Sequence, residues 1–223
     1  QIGALDPDLL SAIAPESLRK LGTLQISGLT AGQLSSLTGD DLRKFAAMQV
    51  GRFSSAQLNA LSPAQMAAFD PEQVAGLAAA QLSGLSPANL RALTSAQLGA
   101  LSNDQLAGLS GEQIGVLTLD QFQALSASQV GGLSAAQIGG LPLAKVAQLT
   151  AQDLGEFGAA QFRALAPAQI AALPPAVIGA LTPQQGAMFE IGQVAALTGA
   201  QLAELPAAAI GAMSPWVREA FTA

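Results

Sequence analysis

The sequence predicts an all-α fold, a solenoid in which every eight residues form one short helix and a corner. Three observations lead to this prediction. An octapeptide repeats without insertion or deletion, each repeat opens with residues that favour a helix start, and small residues close it. Helices of about five or six residues are unstable alone because nucleation is costly, so they persist only if stacked neighbours bury their apolar side chains.

The octapeptide frame is found by cutting the chain at Leu5 and then at every eighth residue. It gives 27 full repeats over residues 5–220. Position 1 is Leu, Ile, Phe or Met in all 27, and position 6 is apolar in all but two, Gly186 and Arg218. Both ends of the sequence fall inside a repeat. We therefore interpret residues 1–223 as a single octapeptide-repeat solenoid and as a fragment of a longer array.

The helix start is clearest in the segment LSPAQM, residues 61–66. Ser62 fits the N-cap, Pro63 fits the first helical position, and Gln65 can complete a capping box. Leu61 and Met66 then form a hydrophobic staple. Gln fills position 5 in 18 repeats. We interpret this series as structural, capping helices and bonding between coils, with a binding surface as the alternative.

The helix end is marked by glycine, since 14 of the 23 Gly lie at positions 7 or 8 of full repeats. A C-cap there is expected to use the left-handed conformation that Gly adopts readily. Other architectures fit poorly. A continuous helix would rotate its Leu stripe by about 80° per repeat, and the odd spacings between positions 1 and 6 would put successive apolar residues on opposite faces of a strand.

Arginine suggests how many helices close one coil. Position 7 is Arg in four repeats, at separations of 24, 48 and 72 residues, all multiples of 24. This favours three helices per coil, with two or four as alternatives. These four Arg and two neighbouring Lys form a candidate interaction edge. Its residues are Arg19, Lys20, Arg43, Lys44, Arg91 and Arg163. The alternative is a solvated face of mixed charge.

Composition argues against several classes of function. The chain has no Cys, His or Tyr, which removes thiol and imidazole chemistry and most zinc and haem sites. The net charge of −6 disfavours binding to nucleic acid, and polar residues interrupt every apolar stretch before it could span a membrane. We predict no enzyme activity, no catalytic, cofactor-binding or metal-binding residues, and no membrane insertion.

Two further features have simple structural interpretations. Three pairs of acidic residues suggest a calcium-binding or catalytic role, but their spacing does not match a calcium loop, and by phase they lie at helix N-caps or in first turns. The pairs are Asp6/Asp8, Asp40/Asp41 and Asp70/Glu72. Trp216, the only Trp, is predicted to fill an irregular core layer rather than to form a ligand platform.

The phrase LTSAQLGALSNDQL, residues 93–106, resembles the L-[ST]-x-x-Q-[LIV]-x-[AG] octapeptide arrays of very large predicted bacterial surface or secreted proteins. The resemblance covers the whole chain as a style of repeat. It implies an extracellular or cell-surface location and a stalk or spacer role. It carries over no functional residues.

The predicted function is that of an elongated, rigid spacer within such a protein. Nine coils at helix-packing distances would make a rod of roughly 70–90 Å. Its partners would be adjoining repeats or domains of the same protein, with end-to-end self-association through the apolar ends. The alternative is a protein-binding α-solenoid, which would concentrate aromatic or Arg residues on one outer face. Most aromatic residues lie at core positions, which favours the spacer.

Overall fold

The computed structural model describes residues 2–219, and over this range the fold is all-α, as predicted. It contains a 3₁₀ turn at Ile2–Ala4, 27 α-helices of four to six residues, and no strand within the described range. Each octapeptide contributes one helix, which begins at position 3. The helices are α1 Pro7–Ser11, α2 Pro15–Leu18, α3 Thr23–Ser27, α4 Ala31–Ser36, α5 Gly39–Arg43, α6 Ala47–Val50, α7 Ser55–Asn59, α8 Pro63–Ala68, α9 Pro71–Ala75, α10 Ala79–Ser83, α11 Pro87–Ala92, α12 Ser95–Gly99, α13 Asn103–Ala107, α14 Gly111–Val116, α15 Leu119–Gln123, α16 Ala127–Gly131, α17 Ala135–Gly139, α18 Leu143–Val146, α19 Ala151–Gly155, α20 Ala159–Ala164, α21 Pro167–Ala172, α22 Pro175–Gly179, α23 Pro183–Gly186, α24 Ile191–Ala195, α25 Gly199–Glu204, α26 Ala207–Ala212 and α27 Pro215–Glu219.

The described residues form two compact units. The first comprises residues 2–109 and 116–124, and the second comprises residues 110–115 and 125–219. Both are built from the same octapeptide, so the same rules of capping and packing apply inside each. The interpretation of residues 1–223 as a single solenoid stays a prediction.

Helix α8 shows how each helix begins. Ser62 has extended backbone, with φ −67° and ψ 158°. Its hydroxyl accepts a hydrogen bond from the Gln65 amide at 3.3 Å, and its own amide donates to the Gln65 side-chain Oε1 at 2.8 Å. This reciprocal pair is the predicted capping box, and it satisfies two amides that the first helical turn leaves without partners.

The helix ends differ from the prediction. No residue in the described part of the chain has a positive φ, so the expected left-handed Gly caps are wrong. Gly76, for example, ends α9 with φ −75° and ψ −9°. The corner instead combines a right-handed helical residue with extended residues after it, a sequence of conformations open to any L-amino acid. Glycine serves close packing here, because a Cβ at Gly76 would lie 2.7 Å from the Ala47 carbonyl oxygen.

Three helices make one coil in each unit. Helices pack closely on the helix three places along the chain, such as α5 on α8 in the first unit and α17 on α20 in the second. One coil therefore takes 24 residues, which confirms the arrangement indicated by the Arg spacing.

The helices of each unit fall on three faces by phase. The third face consists of α3, α6, α9, α12 and α15 in the first unit, and of α18, α21, α24 and α27 in the second. The first face begins with α1 and the second with α2.

The core consists of apolar layers between successive coils, made from positions 1 and 6. In the first coil, the position-6 residues Leu10, Leu18 and Ile26 are buried, while Leu5 at position 1 is 37% exposed. In the last coil the pattern reverses: Leu205 at position 1 is buried, whereas Leu202 at position 6 is 41% exposed. Position 6 thus packs towards the next coil and position 1 towards the preceding one. The predicted core positions are confirmed in the interior of both units.

Gly186 stands at core position 6 but has no side chain, and the backbone of the next coil packs directly against it. A Cβ there would lie 2.2 Å from the Ala209 carbonyl oxygen and 2.7 Å from its carbonyl carbon. Ala209 stands at position 5, where most repeats have Gln, and it is fully buried. The small residues at 186 and 209 therefore allow a closer approach of the two backbones than a regular apolar layer would.

We expect Gly186→Ala to lower the free energy of unfolding by about 1–3 kcal/mol, because the backbone at Ala209 must move to admit the methyl group. Chemical denaturation of the full chain measures this. The matched control is Gly155→Ala, since no atom lies within 4 Å of the added methyl group. This control should be neutral or stabilising by up to about 1 kcal/mol. Equal effects at the two positions would contradict the close approach at Gly186.

Candidate functional site

The position-5 glutamines form a buried network that joins successive coils. Gln97 is fully buried. Its Oε1 accepts a hydrogen bond from the Thr94 amide at 2.7 Å, and its Nε2 donates to the carbonyl oxygens of Phe69 at 2.7 Å and Met66 at 3.2 Å. The Gln side chain thus completes its own helix start and also satisfies carbonyls at the end of a helix one coil earlier. The structural interpretation of the Gln series is confirmed.

The same arrangement recurs in the second unit. The Nε2 of Gln169 donates to the Leu141 carbonyl at 2.8 Å, and the Nε2 of Gln201 donates to the Leu173 carbonyl at 2.8 Å. In both cases the acceptor lies 28 residues earlier in the chain. No buried side-chain nitrogen or oxygen atom of the described residues lacks a hydrogen-bond partner. The network therefore has no unmet donor or acceptor that would indicate a ligand.

Gln at position 5 both accepts a hydrogen bond from the N-cap amide and donates to carbonyls of the preceding coil. Some repeats without Gln require only one of these two bonds. Proline has no amide hydrogen, so a proline N-cap needs no acceptor at position 5. Three repeats have Pro at position 2, and none of them has Gln at position 5. In one of these, Pro142 is followed by Lys145, which is buried and donates from Nζ to the carbonyl oxygens of Ile114, at 3.3 Å, and Gly115. Lys145 therefore supplies the hydrogen-bond donor to the preceding coil in a repeat whose N-cap has no amide hydrogen to accept.

Asp41 replaces Gln at position 5 in the opposite way: its carboxylate can accept a hydrogen bond from the N-cap amide but cannot donate one to the preceding coil. Its Oδ2 accepts from the Thr38 amide at 3.0 Å. Lys44 supplies the missing donor, because its Nζ lies 2.7 Å from Asp41 Oδ1 and 2.8 Å from the Ser11 carbonyl oxygen. Burial alone would raise the pKa of the Asp41 carboxyl, but hydrogen bonds from Lys44 and Thr38 hold that pKa well below its usual range. Lys44, one of the predicted edge residues, therefore has a structural role.

The predicted Arg edge lies at position 7 of second-face repeats. In the first unit, Arg19 Nε donates to the Lys44 carbonyl oxygen at 3.2 Å, and Arg91 Nε donates to the Val116 carbonyl oxygen at 2.9 Å. Both acceptors lie 25 residues later, in the next coil. Arg43 instead pairs with Asp40, with Nη1 and Oδ1 at 2.7 Å, and approaches Asp70 at 3.8 Å.

The edge residues remain accessible to solvent. Arg19, Lys20, Arg43 and Arg91 are exposed in the first unit, and Arg163 is exposed in the second. Among the edge residues, Arg43 and Lys44 form ion pairs with Asp40, Asp70 and Asp41. The structure thus places the Arg residues of the first unit on a common edge, as the spacing predicted. Their role as an interaction edge stays a prediction.

The acidic pairs act on their own helices. The Asp6 carboxylate accepts from the Asp8 amide at 2.9 Å as an N-cap, and Asp70 occupies the N-cap of α9. Nowhere in residues 2–219 do three acidic side chains come together in a way that could hold a metal ion. With helices of at most six residues, none in this range is long enough to span a membrane.

Trp216 does not fill a core layer, so that prediction is wrong. Its side chain is 68% exposed because it stands at position 4, which points outward on these helices. It lines a shallow cleft of about 400 Å³ with Arg163, Glu190 and Ile191. A second cleft, of about 300 Å³ in the first unit, is lined by Arg19, Arg52 and Met48 among others. Neither cleft has a signal in the octapeptide pattern.

Taken within each unit, three-helix coils joined by buried glutamines define a helical repeat protein of the solenoid type. A family model described as the ALTTAQ repeat matches residues 74–111, so this stretch is similar to that repeat. The match includes Ala92–Gln97, which reads ALTSAQ and contains both a helix cap and a network Gln. No curated protein matches the chain.

Proposed function

We propose that this structural repeat region serves as a spacer or stalk within a larger bacterial surface or secreted protein. The observation that carries the proposal is the glutamine network, because it ties each coil to the preceding one through buried hydrogen bonds in both units. A spacer must resist bending between neighbouring repeats. Buried bonds between coils, added to full apolar layers, provide that resistance without any recognition site.

The partners in this proposal are adjoining repeats or domains of the same protein, and a second copy that stacks end to end. Leu5 is exposed at position 1 of the first coil, and Leu202 is exposed at position 6 of the last coil. Inside each unit these two positions form the apolar layer between coils. Apolar residues exposed at these two positions could therefore form the same kind of layer between two copies.

The proposed location, outside the cell or at its surface, rests on the resemblance of the octapeptide to bacterial surface arrays. The proposal assigns no reaction to the chain. Recognition of a protein partner on the outer face is the alternative function. One observation favours it: large apolar side chains are exposed on the third face, among them Met48 in the first unit and Trp216 in the second.

Small-angle scattering of the full chain tests the spacer role. A compact globule of 223 residues would have a radius of gyration of about 17 Å. The unbroken octapeptide phase leads us to expect a clearly larger value at infinite dilution and a distance distribution with a long tail. A concentration series should also show the mass rising as ends associate. A radius near the globular value would contradict the spacer, and a constant mass at millimolar concentration would contradict end-to-end stacking.

A further inference from the structure

Exposed large apolar side chains gather on one of the three faces. Among the described residues, nine large apolar side chains are exposed. Three of them, Leu5, Leu9 and Leu202, stand at positions 1, 5 and 6 of first-face repeats, which are positions that interior coils bury. The other six all stand at position 3 or 4 of third-face repeats. They are Leu24, Met48 and Leu119 in the first unit, and Leu143, Ile191 and Trp216 in the second.

Folding does not explain this selection. Position 4 is exposed in every repeat and position 3 is exposed or half-buried at each described side chain, so the core does not require large apolar residues at either position. Across the repeats of the first and second faces, 36 such positions contain only Ala, Pro, Gly, Ser, Asn, Gln, Asp or Glu. The 18 equivalent positions of the third face contain the six large apolar residues. Exposed apolar side chains gathered on one face mark an interaction surface.

The Arg edge borders this same face, because position 7 of each second-face repeat immediately precedes a third-face repeat. The two features meet in both clefts. Arg19 lines the first-unit cleft with Met48, and Arg163 lines the second-unit cleft with Ile191 and Trp216. Hydrogen bonding of Arg19 Nε to a backbone carbonyl holds that guanidinium at the edge. In the first unit a row of Arg residues therefore runs beside exposed apolar side chains, and in the second unit the single Arg163 lies beside them.

We propose that the third face, with its Arg edge, docks an acidic amphipathic segment of a partner protein. Apolar side chains of that segment would lie on the exposed residues of the face, and its carboxylates would pair with the Arg guanidinium groups. Arginine binds carboxylates through two parallel hydrogen bonds, and Trp and Arg are the residues that most often dominate binding energy at protein interfaces. This inference does not depend on the spacer role.

Other occupants fit the third face less well. Asp70, Glu72, Asp120 and Glu190 lie on third-face repeats and would face anionic lipid headgroups, and the chain has a net charge of −6. An amphipathic peptide can place its carboxylates at the Arg edge alone, whereas a bilayer would present anionic groups to the whole face. A second copy would need a row of acids to offer the Arg edge. Positions 7 and 8 of the third-face repeats, which form the opposite edge, contain one acid, Glu219, and one Arg, Arg52.

Trp216 allows a direct test, because it is the only Trp in the chain. The probe is a synthetic helical peptide of Leu and Glu with one apolar face, and the matched peptide has Lys in place of Glu. We expect the acidic peptide to shift Trp216 emission to the blue in a saturable titration of the full chain, and the basic peptide to have no effect. Calorimetry provides an independent affinity.

Variants locate the binding surface. Arg163→Glu and Ile191→Asp should each weaken the acidic peptide by at least about tenfold, the loss typical of an interface anchor. The control is Ala176→Asp, which introduces the same single negative charge as Ile191→Asp at an exposed position of the first face. It should leave the affinity unchanged. Circular dichroism of the three variants should be unchanged, because all three positions are outside the core.

Several outcomes would overturn the proposal. Equal responses to the acidic and basic peptides would exclude recognition of carboxylates, and no response at about millimolar peptide would exclude docking of this class of segment. A blue shift with mixed phosphatidylserine and phosphatidylcholine vesicles, but not with peptide, would assign the face to a membrane surface. A shift caused by raising the protein concentration alone would assign it to a second copy.

Discussion

Replacing Gln97 by Glu is expected to lower the free energy of unfolding by about 3–5 kcal/mol at neutral pH, although the side chains are nearly identical in shape. The new carboxylate can still accept from the Thr94 amide. It cannot donate to the carbonyl oxygens of Met66 and Phe69, which lie 3.2 and 2.7 Å from the present Nε2. A buried negative charge would then face two carbonyl dipoles, with no donor between them.

The effect should depend on pH with a defined sign. Burial and the facing carbonyl oxygens raise the pKa of the introduced carboxyl in the folded state, relative to about 4.3 in the unfolded chain. Destabilisation is therefore small below that value, grows as the pH rises, and levels off above the folded-state pKa. The protonated acid can also donate a hydrogen bond, as the amide does.

Denaturation curves at several pH values measure this effect. Gln152→Glu is the control, because Gln152 is exposed on the first turn of α19. Its stability should track that of the native chain across the pH range, within about 0.5 kcal/mol. If Q97E and Q152E behave alike at neutral pH, the Gln network contributes little and the account of coil-to-coil bonding is wrong.

The second large effect is expected from a core truncation. Leu58 lies in α7 at position 6 of its octapeptide, between successive coils of the first unit, and is fully buried. Leu58→Ala removes apolar contacts on the side facing the next coil and leaves a cavity, which typically costs about 2–5 kcal/mol. Urea denaturation of the full chain measures the loss.

The chain contains a control with the same chemistry. Leu24 is 90% exposed on the third face, so Leu24→Ala removes almost no buried area and should change stability by less than about 0.5 kcal/mol. This variant also leaves the core intact for binding experiments on the first unit. Similar losses for L58A and L24A would mean that the assignment of position 6 to the core, and of position 4 to the surface, is wrong.

The fold was largely predictable because a strict octapeptide leaves few geometries open. Ser62 and Gln65 define a helix start, and eight residues leave room for only one short helix before the next start. The fixed separation of Arg19 and Arg43 predicts three helices per coil, which Gln hydrogen bonds to carbonyls 28 residues earlier confirm. Local rules of capping and burial were sufficient for these steps.

The two wrong predictions followed general residue preferences and did not take account of the position of each residue in the octapeptide. Glycine at helix ends suggested left-handed caps, but Gly76 allows close packing at ordinary φ. Trp216 suggested a core residue because it is large and apolar, although its position 4 is an outward position. The apolar third face was missed for a related reason. Its residues stand out only when positions 3 and 4 of every third repeat are compared with each other. That comparison requires knowing that three helices, or 24 residues, form one coil.

The donor roles of Lys44 and Lys145 could not be predicted because they depend on carbonyls brought near by the coil. Lys145 bonds to carbonyls 30 and 31 residues earlier, and Lys44 to one 33 residues earlier. The sequence does contain one signal in retrospect. Pro142, Pro174 and Pro206 at position 2 all coincide with the absence of Gln at position 5.

The Gln Nε2 bonds also have a direction along the chain: the donor comes later in sequence than its acceptor. As a ribosome releases the polypeptide, each emerging Gln meets carbonyls on a coil that has already left the tunnel. Assembly can therefore advance in step with synthesis, each new turn using the previous one as its template. Folding of such a molecule extends from one end by adding coils. An array of this repeat could therefore lengthen by gene duplication, because each added coil would fold on the preceding one by the same contacts.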